Sequence, residues 1–337
     1  MANAFKHNLE LLFLLFTLVD CNPKMKTTEW LPTECAPAGY PMTIIKAALI
    51  DGEGKHISVP EGKILNNGWG EQGSTRILNE TNTIVPEKLE VEWFSYTENK
   101  FYKGSVNLPA DLLATYFTEG FISPDTKSKQ DYDLIKVGVA PGGFVSVWIS
   151  GEAITKEVLS TRVEETAYEW SKFFDNPDMS REKYIESTLK NTLGDSAYQK
   201  LINNPRPDGF WMRYQQKYTW KPQLIGLNAS HEIIFKTFNG ESEYIFTESP
   251  DNSTARGVIK DAEVRWSGPS NQKFMAKVQF DEEEIFAAFT RLTSKSTTEP
   301  LLLKFEIGNA DASLRISLAN GSSFYELTKC ITRIYSL

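Results

Sequence analysis

Three cysteines and three histidines are the most chemically versatile side chains in this 337-residue sequence, and their spacing limits what they can do. Cys21 stands just after an unbroken apolar run at residues 11–19, which Lys6 and His7 precede. Such a run is far short of the ~20 residues that cross a bilayer. It suits the central region of a secretory signal. A cysteine placed there is the residue that bacterial lipoprotein export acylates. The Leu18-Val19-Asp20-Cys21 segment departs from the usual pattern at Asp20, where a small uncharged residue is expected. The readings are lipidation at Cys21, an export signal without lipid, or a cytosolic N-terminal helix.

Cys35 and Cys330 are the other two cysteines. In an oxidising compartment they either pair or stay as separate thiols. With only His56 and His231 outside the leader, no zinc-ligand spacing exists, and neither metal nor cofactor is expected. Carboxylates are plentiful, but none forms a spaced pair in a recognisable context. Gly-x-Ser-x-Gly, His-Glu-x-x-His, the phosphate-binding Gly-x-x-x-x-Gly-Lys-Ser and Cys-x-x-Cys are all missing from the sequence. A hydrolase reading therefore rests on the surplus of carboxylates alone, and the chain reads as a non-enzyme.

Aromatic residues are the better candidates for recognition, because exposed Trp and Tyr anchor interfaces. Trp69 lies between two glycines in the loop at 66–74, where no regular strand can run. It either anchors a partner or folds back to close a sheet. Trp30 poses the same choice in a Pro- and Thr-rich arm. Trp211 and Tyr214, with Phe210 and Tyr218, form a stripe that either lines a groove or faces a core. Asp281-Glu282-Glu283-Glu284 suits the start of a helix, where the dipole favours acids, or else meets a basic partner. Lys and Arg number 36 against 44 Asp and Glu, a net charge of −8. That balance disfavours nucleic acid, whose phosphates would repel it.

The elements that must position these residues are mostly strands. Period-2 alternation marks hairpins at 42–50 with 56–59, 89–95 with 101–108, and 132–139 with 144–149. An edge strand is expected at 158–163. Pro109 and Asp111 open a helix. A helical insert is expected over 164–220. It comprises a first helix at 164–174, a second capped by Ser180, and a third along 210–220. A second series follows: strands at 231–238, 243–247, 263–267 and 273–280, a helix at 282–292, strands at 301–307 and 313–318, and a closing helix to Tyr335.

The second series resembles the first. Trp93 lines up with Trp266 and Phe101 with Phe274, and after a one-residue gap Leu113 meets Ile285 and Phe117 meets Phe289. The hairpin at 135–149 matches 303–318. This implies an α+β protein of two domains built on a duplicated unit, each an antiparallel sheet covered by a central helix. The expected division is a signal at 1–21, an extended arm at 22–41, a first domain at 42–222 carrying the insert, a linker at 223–230, and a smaller second domain at 231–337.

Several segments resemble a bacterial lipoprotein family catalogued as domain of unknown function 2931. They are the stretch Glu29 to Pro41, then Asn67-Gly68-Trp69-Gly70, Trp93 to Glu98, Ala140-Pro141-Gly142-Gly143, Asn176-Pro177-Asp178 and Tyr218 to Pro222. The resemblance spans about residues 29–222. It carries no catalytic residues. It implies an exported, periplasm-facing protein of the bacterial cell envelope, attached to the membrane through a lipid alone. With the acidic balance and the aromatic candidates, the expectation is a non-enzymatic binding protein with a protein partner. Its most concrete form is an immunity protein that neutralises a secreted toxic effector. The alternative is a structural or small-ligand-binding lipoprotein of the envelope.

Overall fold

Alternation of buried and exposed side chains organises the chain, which the computed structural model describes at residues 27–75, 83–207, 209–226, 231–246, 254–268, 272–293, 300–308, 313–321 and 323–337. The segment at 1–21 expected to be a signal, with Cys21, lies outside these residues. The described chain is mostly antiparallel β-sheet with few helices.

The first half begins with β1 (Thr27–Thr28), β2 (Leu31–Cys35), β3 (Met42–Asp51) and β4 (His56–Ser58). After β5 (Ile64–Leu65) and β6 (Thr83–Ile84) come the long strands β7 (Pro86–Ser95) and β8 (Lys100–Asn107). Leu89, Val91 and Trp93 of β7 point inward, and α1 (Ala110–Glu119) covers them with Leu113 and Phe117, one turn apart on one face. The short β9 (Phe121–Ile122) and β10 (Lys129–Gln130) lead to the hairpin of β11 (Leu134–Ala140) and β12 (Phe144–Gly151). Then β13 (Ile154–Arg162) and β14 (Glu164–Thr166) follow. Helices α2 (Trp170–Phe173), α3 (Arg181–Leu193) and α4 (Asp195–Asn203) close this half. Ser180 caps α3, its hydroxyl accepting from the Lys183 amide at 3.2 Å.

The second half runs through β15 (Lys217–Ile225), β16 (His231–Thr237), β17 (Ser242–Phe246), β18 (Thr254–Gly257), β19 (Ile259–Ser267) and β20 (Lys273–Gln279). It ends with α5 (Glu282–Thr293), β21 (Leu301–Ile307), β22 (Leu314–Asn320), β23 (Ser323–Glu326) and β24 (Ile331–Ser336).

The two halves share one strand order. In the first, β2 lies parallel to β11, followed by β12 and β13, while a second sheet runs β14-β8-β7-β3-β4. In the second, β15 lies parallel to β21, followed by β22 and β23, while another sheet runs β24-β20-β19-β16-β17. A single bridge between β13 and β17, Thr155 to Ser242, joins one sheet from each half into a nine-stranded sheet.

Three sequence expectations change. The closing helix is instead β23 and β24, because Ile331 to Ser336 alternates with period 2 and completes the ladder on β20. Of the insert expected at 164–220, residues 164–166 are β14, which pairs with β8, and Trp170–Phe173 is one short helix. Phe210–Gln215 is a 3-10 turn, and the chain then becomes β15, with tertiary pairing overriding helical spacing. Residues 223–225, expected in a linker, continue that strand. Pro222 sits within it, opposite Leu303 of the parallel strand β21. The edge strand expected at 158–163 is the later part of β13, which among the described residues pairs there with β12 alone; the single bridge to β17 is at Thr155.

Register also corrects the internal match. Trp93 faces Tyr102 across the β7–β8 ladder, and Trp266 faces Phe274 across β19–β20. Tyr102 is therefore the counterpart of Phe274, and both pairs stack, at centroid distances of 5.2 and 5.6 Å. Phe101 points to the opposite face, because a one-residue slip in a strand reverses the side-chain direction. There it joins Phe94 and Tyr96 beneath a layer of aromatic side chains from α2 and α3.

Candidate functional site at the junction of the halves

The tip of the β16–β17 hairpin is where the second half meets the first. Its turn repeats that of β3–β4. Gly240 donates to the Thr237 carbonyl at 3.0 Å, as Gly54 donates to the Asp51 carbonyl at 3.0 Å, and both glycines have positive φ. The β3–β4 turn is exposed, whereas the β16–β17 turn is docked. Trp148 of β12 donates its indole N–H to the Asn239 carbonyl at 3.0 Å. A Cβ on Gly240 would lie 2.9 Å from the Gly70 Cα and 3.0 Å from the Trp148 ring. Glycine at both 70 and 240 permits this backbone approach.

Trp148 has room to lie flat only because Gly138 on the neighbouring strand has no side chain. A Cβ there would meet the Trp148 ring at 2.6 Å and the Trp69 ring at 3.0 Å. Trp69 packs edge-on against Trp148 at 5.0 Å and reaches Trp211 at 6.4 Å. Trp211 contacts Tyr214 at 5.6 Å, and Tyr214 stacks on Phe238 at 5.3 Å. Three of the four aromatic candidates, Trp69, Trp211 and Tyr214, thus come together in one cluster that spans both halves. Trp30 does not join them and packs in the core of the first half. All four are buried, so in this arrangement none presents itself as an exposed anchor. Of the two placements the sequence left open for each, outward or packed, all four are packed, and three of them lie where the halves meet.

The acidic run at the start of α5 belongs to the same joint. Asp281 caps the helix by accepting from the Glu284 amide at 2.9 Å. Glu282 receives both guanidinium nitrogens of Arg206, at 2.8 and 3.0 Å, and the Tyr214 hydroxyl at 2.9 Å. Arg213 bonds Glu283 at 2.8 Å and stacks over Phe286. Buried Glu284 holds the Thr328 and Lys329 amides.

Two polar groups in the joint could not be picked out from sequence. Glu157 of β13 and Glu241 of the hairpin share the Asn239 side-chain amide, at 3.1 and 2.8 Å. Gln215 also donates to Glu157, and Lys217 to Glu241. Burial pushes the Glu157 carboxyl up to about 7, with the Glu241 charge adding to the rise and the Gln215 bond opposing it. The second group is Lys136, only 6 % exposed on β11. Its ammonium donates to the Gly70 carbonyl at 2.8 Å and to the Thr155 hydroxyl at 3.2 Å. Burial holds its pKa below the usual lysine range. A cavity of about 280 Å³ lies beside it, walled by Trp69, Glu71, Ile234 and Lys236 among others. Lys236 crosses from the second half to Glu71 at 2.6 Å.

Cys35 and Cys330 are free thiols; Cys35 is fully buried, and burial pushes its pKa up to about 12. His56 lies on β4 and His231 opens β16. Among the described residues, no group of three or more His, Cys, Asp or Glu side chains could hold a metal ion. Nor is any described helix long and apolar enough to cross a membrane.

A second surface lies on the nine-stranded sheet. The outer face of β16, β19, β20 and β24 carries three rows across the ladder. They are Lys236–Asp261–Gln279–Ile331, Ile234–Glu263–Lys277–Arg333 and Glu232–Arg265–Met275–Tyr335. A groove of about 550 Å³ runs over it. The matching face of β3, β7 and β8 is covered by α2 and α3 through Trp170, Phe173 and Tyr184.

Fold and site together define a mostly β protein whose halves share one strand order and meet through an aromatic joint. The chain belongs to the family described as protein of unknown function (DUF2931), whose model matches residues 19–205. The match takes in the first half, its helices and the loop of Trp69, and stops before β15. No curated protein and no solved structure matches the chain.

Proposed function

We propose that this is a non-catalytic binding protein of the bacterial cell envelope, built from two copies of one unit and divided near the start of β15. Its partner is a protein that docks on the bare face of β16, β19, β20 and β24. The observation that carries this is the contrast between the halves. One sheet face wears a layer of aromatic-rich helices, and its counterpart lies open, with charges of both signs and with Ile331 and Tyr335 at its edge. Both are large exposed apolar side chains, next to Leu337, a composition that suits a protein partner.

The duplication is supported by the common strand order and by Trp30-Leu31-Pro32 and Trp220-Lys221-Pro222, which set Pro32 and Pro222 opposite matched residues, Ile135 and Leu303. Anchoring through a lipid on Cys21 fits the apolar leader. The most concrete form of the reading is immunity against a secreted toxic effector. The test is binding of the purified effector encoded beside this protein's gene, with wild-type protein and with the double variant Lys277→Glu, Arg333→Glu. Tight binding that the double variant loses supports the proposal. A wild-type protein that ignores the effector refutes immunity, and a variant that binds as well as wild type refutes the docking face. Loss of palmitate labelling in Cys21→Ala tests the anchor.

A further inference from the structure

We propose that two copies of this chain pair edge to edge through β24, antiparallel, with Ile334 of each copy at the two-fold axis. β24 ends the nine-stranded sheet, and among the described residues no strand lies along its other side. The Leu337 N–H donates to the Lys273 carbonyl at 2.9 Å. Backbone groups alternate along an antiparallel ladder, so Ile331, Arg333 and Tyr335 also turn theirs to β20. Thr332, Ile334 and Ser336 turn theirs outward, to the open edge. The matching edge of the first half is blunted: β14 has three residues, two of them Glu. At the far end of the nine-stranded sheet, β2 contains Pro32 and is bridged to Thr75. β24 has six residues, no proline and the single charge of Arg333. Ile331, Tyr335 and the adjoining Leu337 are 57 %, 41 % and 64 % exposed. An edge of this kind is a template for another strand.

Register selects a second copy as that strand. In a two-fold contact the same residues face each other in both directions. Centring on Ile334 sets Thr332 opposite Ser336 of the second copy, so every outward N–H and C=O of one strand meets its complement on the other. On the open face the same register sets Ile331 opposite Leu337, an apolar pair, and Arg333 opposite Tyr335, whose ring suits a guanidinium. Centring on Arg333 would oppose two like charges, and centring on Tyr335 would carry Thr332 past Leu337, out of the pairing. Side chains stand perpendicular to a sheet. The pairing therefore widens the bare face of β16, β19, β20 and β24 without covering it, and goes beyond the docking of another protein there.

The test is sedimentation equilibrium of the full chain without any effector, in a non-ionic detergent that keeps the apolar run at 11–19 from associating. One strand per copy makes a small contact, so a dimer that dissociates at about 10–100 μM is expected. Tyr335→Arg places like charges opposite each other at two symmetric positions and should weaken the dimer at least about tenfold. Adding Arg333→Glu to that variant makes both pairs opposite in charge and should restore association. Both positions are exposed, so neither change threatens the fold. A wild type that stays monomeric up to about 1 mM overturns the proposal. So does a Tyr335→Arg variant that associates as the wild type does, or a double variant that stays dissociated.

Discussion

The Trp148 indole of the first half donates to the Asn239 carbonyl at the hairpin tip of the second, at 3.0 Å, and both partners are fully buried. The sheet hydrogen bonds between β13 and β17 cover a single residue pair, so this contact and the rings around it carry much of the joint. Trp148→Ala should destabilise the protein by about 3–5 kcal/mol, as large-to-small core changes do. Trp148→Phe keeps most of the packing but strands the Asn239 carbonyl, and should cost about 1–3 kcal/mol. Denaturant unfolding measures both. Equal stability of the three proteins would show that the joint lies elsewhere.

The two matched turns offer a controlled comparison. Gly54 and Gly240 have φ of +81° and +86°, so alanine is strained at either site. A Cβ at 54 meets nothing within 4 Å, whereas at 240 it strikes the Gly70 backbone and Trp148. Gly54→Ala should lose about 1 kcal/mol, and Gly240→Ala clearly more, because its clash is added to the same strain. Thermal melts of the two variants, run side by side, separate the effects.

Glu157 makes the joint sensitive to pH. Its folded-state pKa of about 7 stands above the ordinary 4.5, so between these values the folded protein holds a proton that the unfolded chain has released. Stability from this group is thus greater below pH 4.5 and falls as pH rises towards 7, by about 1–3 kcal/mol. Glu241 and Lys217 face it across the Asn239 amide and stay in place in Glu157→Gln. That variant should flatten this part of the stability profile. An unchanged slope in urea titrations at stepped pH would assign the effect to another group.

Arg181 ties the helical layer to the sheet. Its guanidinium lies 4.7 Å from the Trp170 ring and 5.4 Å from that of Phe101, and it bonds both the side chain and the carbonyl of Asn99. Arg181→Ala should cost about 1–2 kcal/mol. Because α2 and α3 form the covering layer, proteolysis between residues 166 and 204 should quicken before the sheet core is cut. Limited proteolysis with mass mapping reads this directly.

The thiols give a simple check on the packing. Cys35 is fully buried and its thiol is pushed up to about 12, so the reactive thiolate is scarce and shielded. Cys330 is partly accessible, with burial again raising its pKa to about 12. Cys330 should label slowly with a thiol reagent in the native state and Cys35 only on unfolding. Rapid native labelling of Cys35 would contradict its placement in the core.

The strands β3, β7, β8, β11, β12, β16, β19, β20, β21 and β22, the helices α1, α3 and α5, and the matched tryptophans were legible in the chain itself. Their signals are local: alternation with period 2, a capping serine, apolar pairs one turn apart. The family, too, is written in short segments that need no structure to be seen. The identity of Tyr102 as the partner of Phe274 was not legible, because only pairing across a ladder decides which of two adjacent aromatics faces inward. The strand character of Ile331 to Ser336 came from β20, a neighbour distant in sequence. The same holds for the joint. Trp69, Trp211 and Tyr214 announced themselves by residue type, but only folding brought them to one cluster and buried them there. Lys136 and Glu157 are ordinary charged residues on strands until the second half covers them. Desolvation is a property of the assembled tertiary structure, and it turned these two residues into the chemically distinctive ones.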